Sequence, residues 1–249
     1  MVYAYFSYLL GTWPPQDKSL LHARQVTGNL LDAHIRAYHL IRSIYKDNGL
    51  EYPKISIAQN MQAFVPCVAT LRNKFAAYLR HKHYNIGFIE RLAAERALDF
   101  IGMNYYSPSW VELEGWGINN FASDVCKKNH RRLRKNSMGW DIYPQGLYDL
   151  LVGLKKYGLP VFILENGICT DNDALRWDYI SEHLKSVKKA IDSGVEVMGY
   201  LYWSLLDNYE WDKGFGPRFG LIEVDYDNYK RTVRESARKF SEVCKYGKL

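Results

Sequence analysis

Only four of the 249 residues are cysteine, at positions 67, 126, 169 and 244. They are scattered, with no CxxC pair and no Cys/His cluster at zinc spacing, so no metal centre is expected. A chain this long can build its core without covalent staples. A disulfide framework is therefore not expected, and reduced thiols in a cytoplasmic protein are. No apolar run approaches the roughly 20 residues of a membrane span. A basic n-region followed by an apolar stretch is also missing, which argues against a secretion signal and a membrane partner. Charge of one sign is in small excess, with 33 Lys and Arg against 27 Asp and Glu. Only His130-Arg131-Arg132-Leu133-Arg134-Lys135 is concentrated enough to meet a phosphate backbone. That run lies where no periodicity is visible and reads as a solvated loop, so nucleic acid is not an expected partner. His81 and His83 stand two apart without a carboxylate at helical spacing and make no metal site.

What the chain does have is aromatic: 15% of its residues, with 20 Tyr and 7 Trp. Such rings fill cores and can also stack on flat ligands. At 47% hydrophobic and 24% charged, the balance is that of a globular protein, and no linker divides residues 1–249, so a single domain is expected. Ser19 can cap a long helix with Val26, Leu30, Ala33, Ala37, Leu40 and Ile44 on one face, ending before Asn48-Gly49. Lys54 to Asn60 reads as a strand, Ile86 to Ala97 as a helix, and Leu98 to Tyr106 as a strand. Pro144 sits where a helix through Leu147, Leu150, Leu151 and Leu154 would begin, with Gly158 behind it. Val161-Phe162-Ile163-Leu164-Glu165-Asn166-Gly167 follows, a short apolar run ending in a carboxylate, an amide and a glycine. Such a run predicts a strand buried on both faces, with Glu165 at its carboxyl end. Asp173 is placed to cap a helix through Ile180, Leu184, Val187 and Ile191; Val197 to Leu205 reads as a strand, and Val233 to Cys244 as the last helix.

Helix and strand alternate throughout, which implies a parallel sheet with helical crossovers. A chain of ~250 residues could hold a complete eight-stranded barrel. Only four strands carry the signature of an apolar run ending in polar residues, so the expectation is an α/β fold amounting to half a TIM barrel. In a barrel the strand ends meet at one mouth. Here they bring together Asn60, Asn104, Tyr106, Glu165 and the run from Trp203 to Trp211. Rings beside carboxylates and amides suit a sugar, whose C–H face stacks while its hydroxyls donate to carboxylate oxygens.

Four separated motifs carry a resemblance: Phe100-Ile101-Gly102-Met103-Asn104-Tyr105-Tyr106, Gly139-Trp140-Asp141-Ile142-Tyr143-Pro144-Gln145-Gly146-Leu147, Leu164-Glu165-Asn166-Gly167, and Tyr202-Trp203-Ser204-Leu205-Leu206-Asp207-Asn208-Tyr209-Glu210-Trp211. With Arg218-Phe219-Gly220-Leu221 closing the series, the chain resembles the C-terminal part of glycoside hydrolase family 1, the retaining β-glucosidases and β-galactosidases, particularly their archaeal branch. The resemblance implies the C-terminal half of a TIM (β/α)8 barrel, no cofactor, and a small β-glycoside or oligosaccharide as ligand. It implies Glu165 as the catalytic nucleophile and Tyr106 as the hydroxyl that holds it. Trp203 matches the platform under the sugar, and Glu210 with Trp211 the pair that grips its far hydroxyls. Asn104 and Phe219 match residues lining the same pocket.

One feature of that family is missing. Its acid/base glutamate lies in an Asn-Glu-Pro motif at the end of the fourth strand, and no Asn-Glu-Pro occurs in these 249 residues. The resemblance places the start of these residues one residue past the acid/base glutamate. Three expectations stand side by side. The chain is part of an enzyme completed by a separate N-terminal half-barrel chain, or it is a sugar-binding or scaffold protein, or it is a truncated form; the open sheet edges of half a barrel also make a homo-oligomer an expected partner.

Overall fold

The computed structural model describes residues 2–113, 126 and 133–249. Ser19 accepts a hydrogen bond from the His22 amide and opens the helix Leu20–Asp47, as its capping chemistry predicts. The face that packs is not the expected apolar stripe. Leu30, Leu40 and Ile44 are exposed, while Ala23 and Tyr38 are buried. Polar contacts set this rotation. The Tyr38 hydroxyl donates to Asp99 Oδ1 at 2.8 Å, Arg42 pairs with the same carboxylate one turn on, and the Ile55 amide donates to its Oδ2 at 2.6 Å.

Four strands form one sheet in the order β1-β2-β3-β4. They are β1 (Ala58–Pro66), β2 (Ile101–Val111), β3 (Val161–Asn166) and β4 (Val197–Tyr202). β3 and β4 pair in parallel, with Val161 opposite Val197 and Asn166 opposite Tyr202. The first strand starts later than expected, so Asn60 lies inside β1 and not at its exit. Side chains displace the ladder before it: Asp99 takes the Ile55 amide, and the Ser56 hydroxyl donates to the Phe100 carbonyl at 2.6 Å. β4 stops at Tyr202, short of the expected Leu205. β3 is also less enclosed than predicted. Val161, Ile163 and Asn166 are buried, but Phe162 and Leu164 are half-buried.

A helix that periodicity does not reveal, Leu71–Arg80, follows β1 under a Thr70 cap. Its buried residues are Asn73, Ala76, Ala77 and Arg80, while Leu71, Phe75 and Tyr78 are exposed, so no apolar stripe marks it. It continues through a π-helical turn, His81–Ile86, into the helix Gly87–Ala94, which falls short of the expected Ala97. Pro144–Leu154 is helical as predicted, with Leu147, Leu150, Leu151 and Leu154 buried. The helix Asp173–Asp192 is capped by Asn172, not Asp173: Asn172 accepts from the amides of Ala174 and Leu175. Asp173 is engaged elsewhere, pairing with Arg176 and accepting from the Ser236 amide at 2.8 Å and its hydroxyl at 2.5 Å. Ile191, expected on the packed face, is exposed. An antiparallel hairpin, β5 (Ile222–Val224) with β6 (Arg231–Val233), precedes the last helix, Glu235–Tyr246. Val233 therefore belongs to a strand.

By internal contacts the chain divides into two units: Met1–Met103, Ser109–Lys128 and Tyr157–Pro160 in one, and Asn104–Pro108, Asn129–Lys156 and Val161–Leu249 in the other. In the first unit Cys67 and Cys126 form a disulfide, against the expectation of reduced thiols throughout. Sequence spacing could not reveal it, because the two lie 59 residues apart and meet only through the fold. Restricting a loop of that length in the unfolded chain contributes on the order of 4 kcal/mol. Half of the basic run, residues 130–132, falls outside the described residues. Of its described members, Arg134 pairs with Asp178 and Glu182, and Lys135 with Asp141, so these charges sit in surface ion pairs. Among the described residues no helix is long and apolar enough to cross a membrane.

The second unit buries His183 completely. Its ring stacks on Tyr179 at 3.8 Å, and Nδ1 donates to the Tyr179 carbonyl at 2.8 Å. Burial presses its pKa from 6.5 to about 3, only partly opposed by that carbonyl. The folded state thus holds His183 neutral, while the unfolded chain protonates it below pH 6.5. Its contribution is fully present above that pH and is lost as pH falls towards 3. The urea midpoint should drop across this window, and His183→Leu should have a shallower drop. An equal slope in the variant would contradict the assignment.

Candidate functional site

All seven residues expected to form a sugar site lie in the second unit. Asn104 and Tyr106 are two apart on β2 and share a side of the strand, while Glu165 is the penultimate residue of β3. The Tyr106 hydroxyl donates to Glu165 Oε2 at 2.5 Å, a charge-assisted bond of the short kind. Burial raises the pKa of Tyr106, and the charge of Glu165 raises it further. The phenol therefore keeps its proton and stays a donor, and Glu165 receives a fixed hydrogen bond on one oxygen.

Beneath this pair lies a buried polar network. Asn166 Nδ2 donates to the Tyr105 carbonyl at 2.6 Å and to the Tyr179 hydroxyl at 2.9 Å, and its Oδ1 accepts from the Tyr200 hydroxyl at 2.8 Å. Gly167 then lets two chain segments meet. A Cβ there would stand 1.7 Å from the carbonyl oxygen of Trp203, so no other residue fits. Trp203 is half-buried and its peptide bond to Ser204 is cis.

The loop after β4 carries Glu210, half-buried, and Trp211, exposed. Asp207 anchors the loop with a fully buried side chain. The carboxylate meets Arg234 at 3.1 Å and Arg218 at 3.4 Å, and it accepts the amide of Gly220 at 2.8 Å. Through the last contact the same carboxylate fixes the backbone beside Phe219, whose ring is buried. Burial raises the pKa of Glu210, and the charges of Glu165 and Asp212 add to the rise. Two carboxylates thus share one electrostatic neighbourhood.

Trp140 is a site member that sequence reasoning quoted in a motif without giving it a role. Its ring lies 6.0 Å from Tyr106 and 6.4 Å from Phe219, and those two are 6.3 Å apart, a three-ring wall beside the Glu165 partner. The buried Asn104 Oδ1 has no partner among the described residues, which suits a hydroxyl donor. Asn60, expected at the same mouth, belongs to the first unit, where its Oδ1 accepts from the Tyr84 hydroxyl at 3.1 Å.

Comparison with known proteins gives the family and the fold. The family described as Glycosyl hydrolase family 1 matches residues 90–248. A β-galactosidase of Sulfolobus acidocaldarius is 34% identical across 94% of this chain and 50% of its own length. Beta-glucosidase A of Thermotoga maritima is 33% identical across 98% of this chain and 61% of its own. The solved β-glycosidase from Pyrococcus horikoshii superposes with a TM-score of 0.87 at 37% identity, covering 97% of this chain and 58% of that one. A Thermotoga maritima β-glucosidase in complex with glucoimidazole superposes at 0.86 with 31% identity, covering 62% of its chain. The chain thus spans about half the length of the first curated relatives it matches. With the element order, these superpositions bear out the expected fold class, the C-terminal half of a TIM barrel.

Replacing Asp207 by Asn keeps the shape of the anchor but leaves Arg218 and Arg234 without their counter-charge. Breaking such a buried pair costs about 3 kcal/mol or more. Urea unfolding of Asp207→Asn should show that loss; an unchanged midpoint would contradict the anchoring role.

Proposed function

The chain belongs to glycosyl hydrolase family 1, and from that premise we propose that it carries the nucleophile side of a retaining β-glycosidase site. The single observation that supports this reading most is the Tyr106–Glu165 hydrogen bond of 2.5 Å, between the middle of β2 and the end of β3. In this reading Glu165 attacks the anomeric carbon of a β-glucoside or β-galactoside. A carboxylate–carbon bond forms as the bond to the leaving oxygen breaks, giving a covalent glycosyl-enzyme. Tyr106 donates to Oε2 throughout and orients the carboxylate. Trp203 is the stacking platform, Glu210 and Trp211 engage the far hydroxyls, and Asn104 and Phe219 line the pocket, with Trp140 completing the aromatic wall.

A retaining glycosidase needs a second carboxyl group about 5–5.5 Å from the first, to protonate the leaving oxygen and later deprotonate water. The family's motif for that group is not among these 249 residues. Positioned acid–base catalysis contributes about 10²–10⁴-fold. This chain alone should therefore cleave alkyl β-glycosides and disaccharides negligibly, and turn over only substrates whose leaving phenol is acidic enough to depart unprotonated. A separate half-barrel chain bearing Asn-Glu-Pro is the partner that would complete the site. The alternative reading, a non-catalytic sugar-binding or scaffold protein, draws on the same missing motif.

An activated 2-deoxy-2-fluoro β-glycoside with a dinitrophenolate leaving group separates the readings, because its attack step needs no acid. Mass spectrometry should find one glycosyl adduct on the peptide holding Glu165, and none in Glu165→Gln. An adduct elsewhere, or none, would overturn the nucleophile assignment. Tryptophan fluorescence that shifts with glucose or galactose and goes flat in Trp203→Ala, together with no adduct, would favour the binding protein. Adding a fragment that carries Asn-Glu-Pro should restore cleavage of cellobiose or lactose; no gain and no complex on sizing would count against a completing partner.

A further inference from the structure

In the first unit two thiols and a carboxylate meet. Cys67 directly follows β1 and Glu112 directly follows β2, and the Cys67 amide donates to the Val111 carbonyl at 2.8 Å. Cys126 arrives from 59 residues along the chain. One donor atom from each of the three lies within 4.8 Å of the other two, with Cys67 buried and its two neighbours half-buried. In the structure the sulfurs are joined. Two sulfurs and a carboxylate oxygen this close together match the donor set of a thiophilic divalent cation.

We propose that Cys67, Cys126 and Glu112 form a two-state site, a disulfide when oxidised and a binding site for a thiophilic divalent cation when reduced. Reduction by a dithiol takes up two electrons and two protons, breaks the S–S bond and leaves two thiols. Binding of the cation then releases both thiol protons, so each sulfur ligates as thiolate. The geometry permits both states. Zinc–sulfur bonds of about 2.3 Å at a tetrahedral angle set the sulfurs about 3.8 Å apart. A Cα–Cα distance of 5.8 Å accommodates that separation by side-chain rotation. Glu112 supplies the third, harder ligand, and solvent the fourth. Two thiolates with one carboxylate favour zinc, cadmium or cobalt over magnesium or calcium. The site ties the ends of β1 and β2 to Cys126 whether the surroundings oxidise thiols or keep them reduced.

Cobalt(II) alone serves as the probe, added to the full chain after reduction by a phosphine and removal of the reductant. One equivalent should produce a sulfur-to-cobalt charge-transfer band, and the same chain oxidised with diamide should show none. The band should vanish in the Cys67→Ser/Cys126→Ser double variant and persist in Cys169→Ser/Cys244→Ser. Glu112→Gln should keep the band but bind at least about 10-fold more weakly, the scale of loss seen when a metal's supporting groups are removed. The oxidised and reduced forms of the unsubstituted chain need no variant to fold. Absence of the band in the reduced chain would overturn the proposal, as would its survival in the double variant or unchanged affinity in Glu112→Gln. So would a reduced chain that unfolds and is not restored by cobalt.

Discussion

Asn166 is the constraint on which the second unit turns. Its amide is fully buried and fully used, donating to the Tyr105 carbonyl and the Tyr179 hydroxyl and accepting from the Tyr200 hydroxyl. Those three partners belong to β2, the helix Asp173–Asp192 and β4. One side chain on β3 therefore fixes three elements around it. The price of losing it is set by what stays behind, buried hydroxyls and a carbonyl without partners. Glu165 and Tyr106, each one residue away from a member of this network, inherit its rigidity. Their short hydrogen bond needs no induced movement to form.

A second constraint governs the far side of the site. Gly167 and Gly220 allow backbone to approach backbone so closely that a Cβ would collide with Trp203 O and Asp207 N respectively. The loop from Trp203 to Trp211 is thus seated at Gly167, just after β3, and at Gly220, just before β5, by what those two residues lack, and held by the Asp207 carboxylate between Arg218 and Arg234. The charge of Glu165 adds to the burial that raises the pKa of Glu210 on this loop.

The strand that places Glu165 was legible because Val161 to Glu165 couples an apolar run to a polar end; the second expected strand runs on to Val111, so Asn104 and Tyr106 lie inside β2 and not at its exit. Legibility failed where polar atoms, not apolar stripes, decide packing. The long helix turns Tyr38 and Arg42 inward towards Asp99 and leaves Leu40 exposed. The helix Leu71–Arg80 buries Asn73 and Arg80, so its inner face looks like an outer one. Asn172 takes the capping role because Asp173 is claimed by Arg176 and Ser236. The meeting of Cys67, Glu112 and Cys126 could not be read at all, since their proximity exists only after strands place them. Trp140 was visible as part of a motif, but its role as a wall of the site depends on ring distances.

The central claim is that Glu165 is a nucleophile whose acid/base partner is not among these residues. Azide tests it directly, because an anionic nucleophile attacks a glycosyl-enzyme without needing a base. With a dinitrophenyl β-glucoside or β-galactoside as substrate, added azide should accelerate turnover and yield the β-glycosyl azide, its nitrogen bonded to the anomeric carbon as the Glu165 carboxylate leaves. Brisk hydrolysis that ignores azide, with free sugar as the only product, would contradict the account.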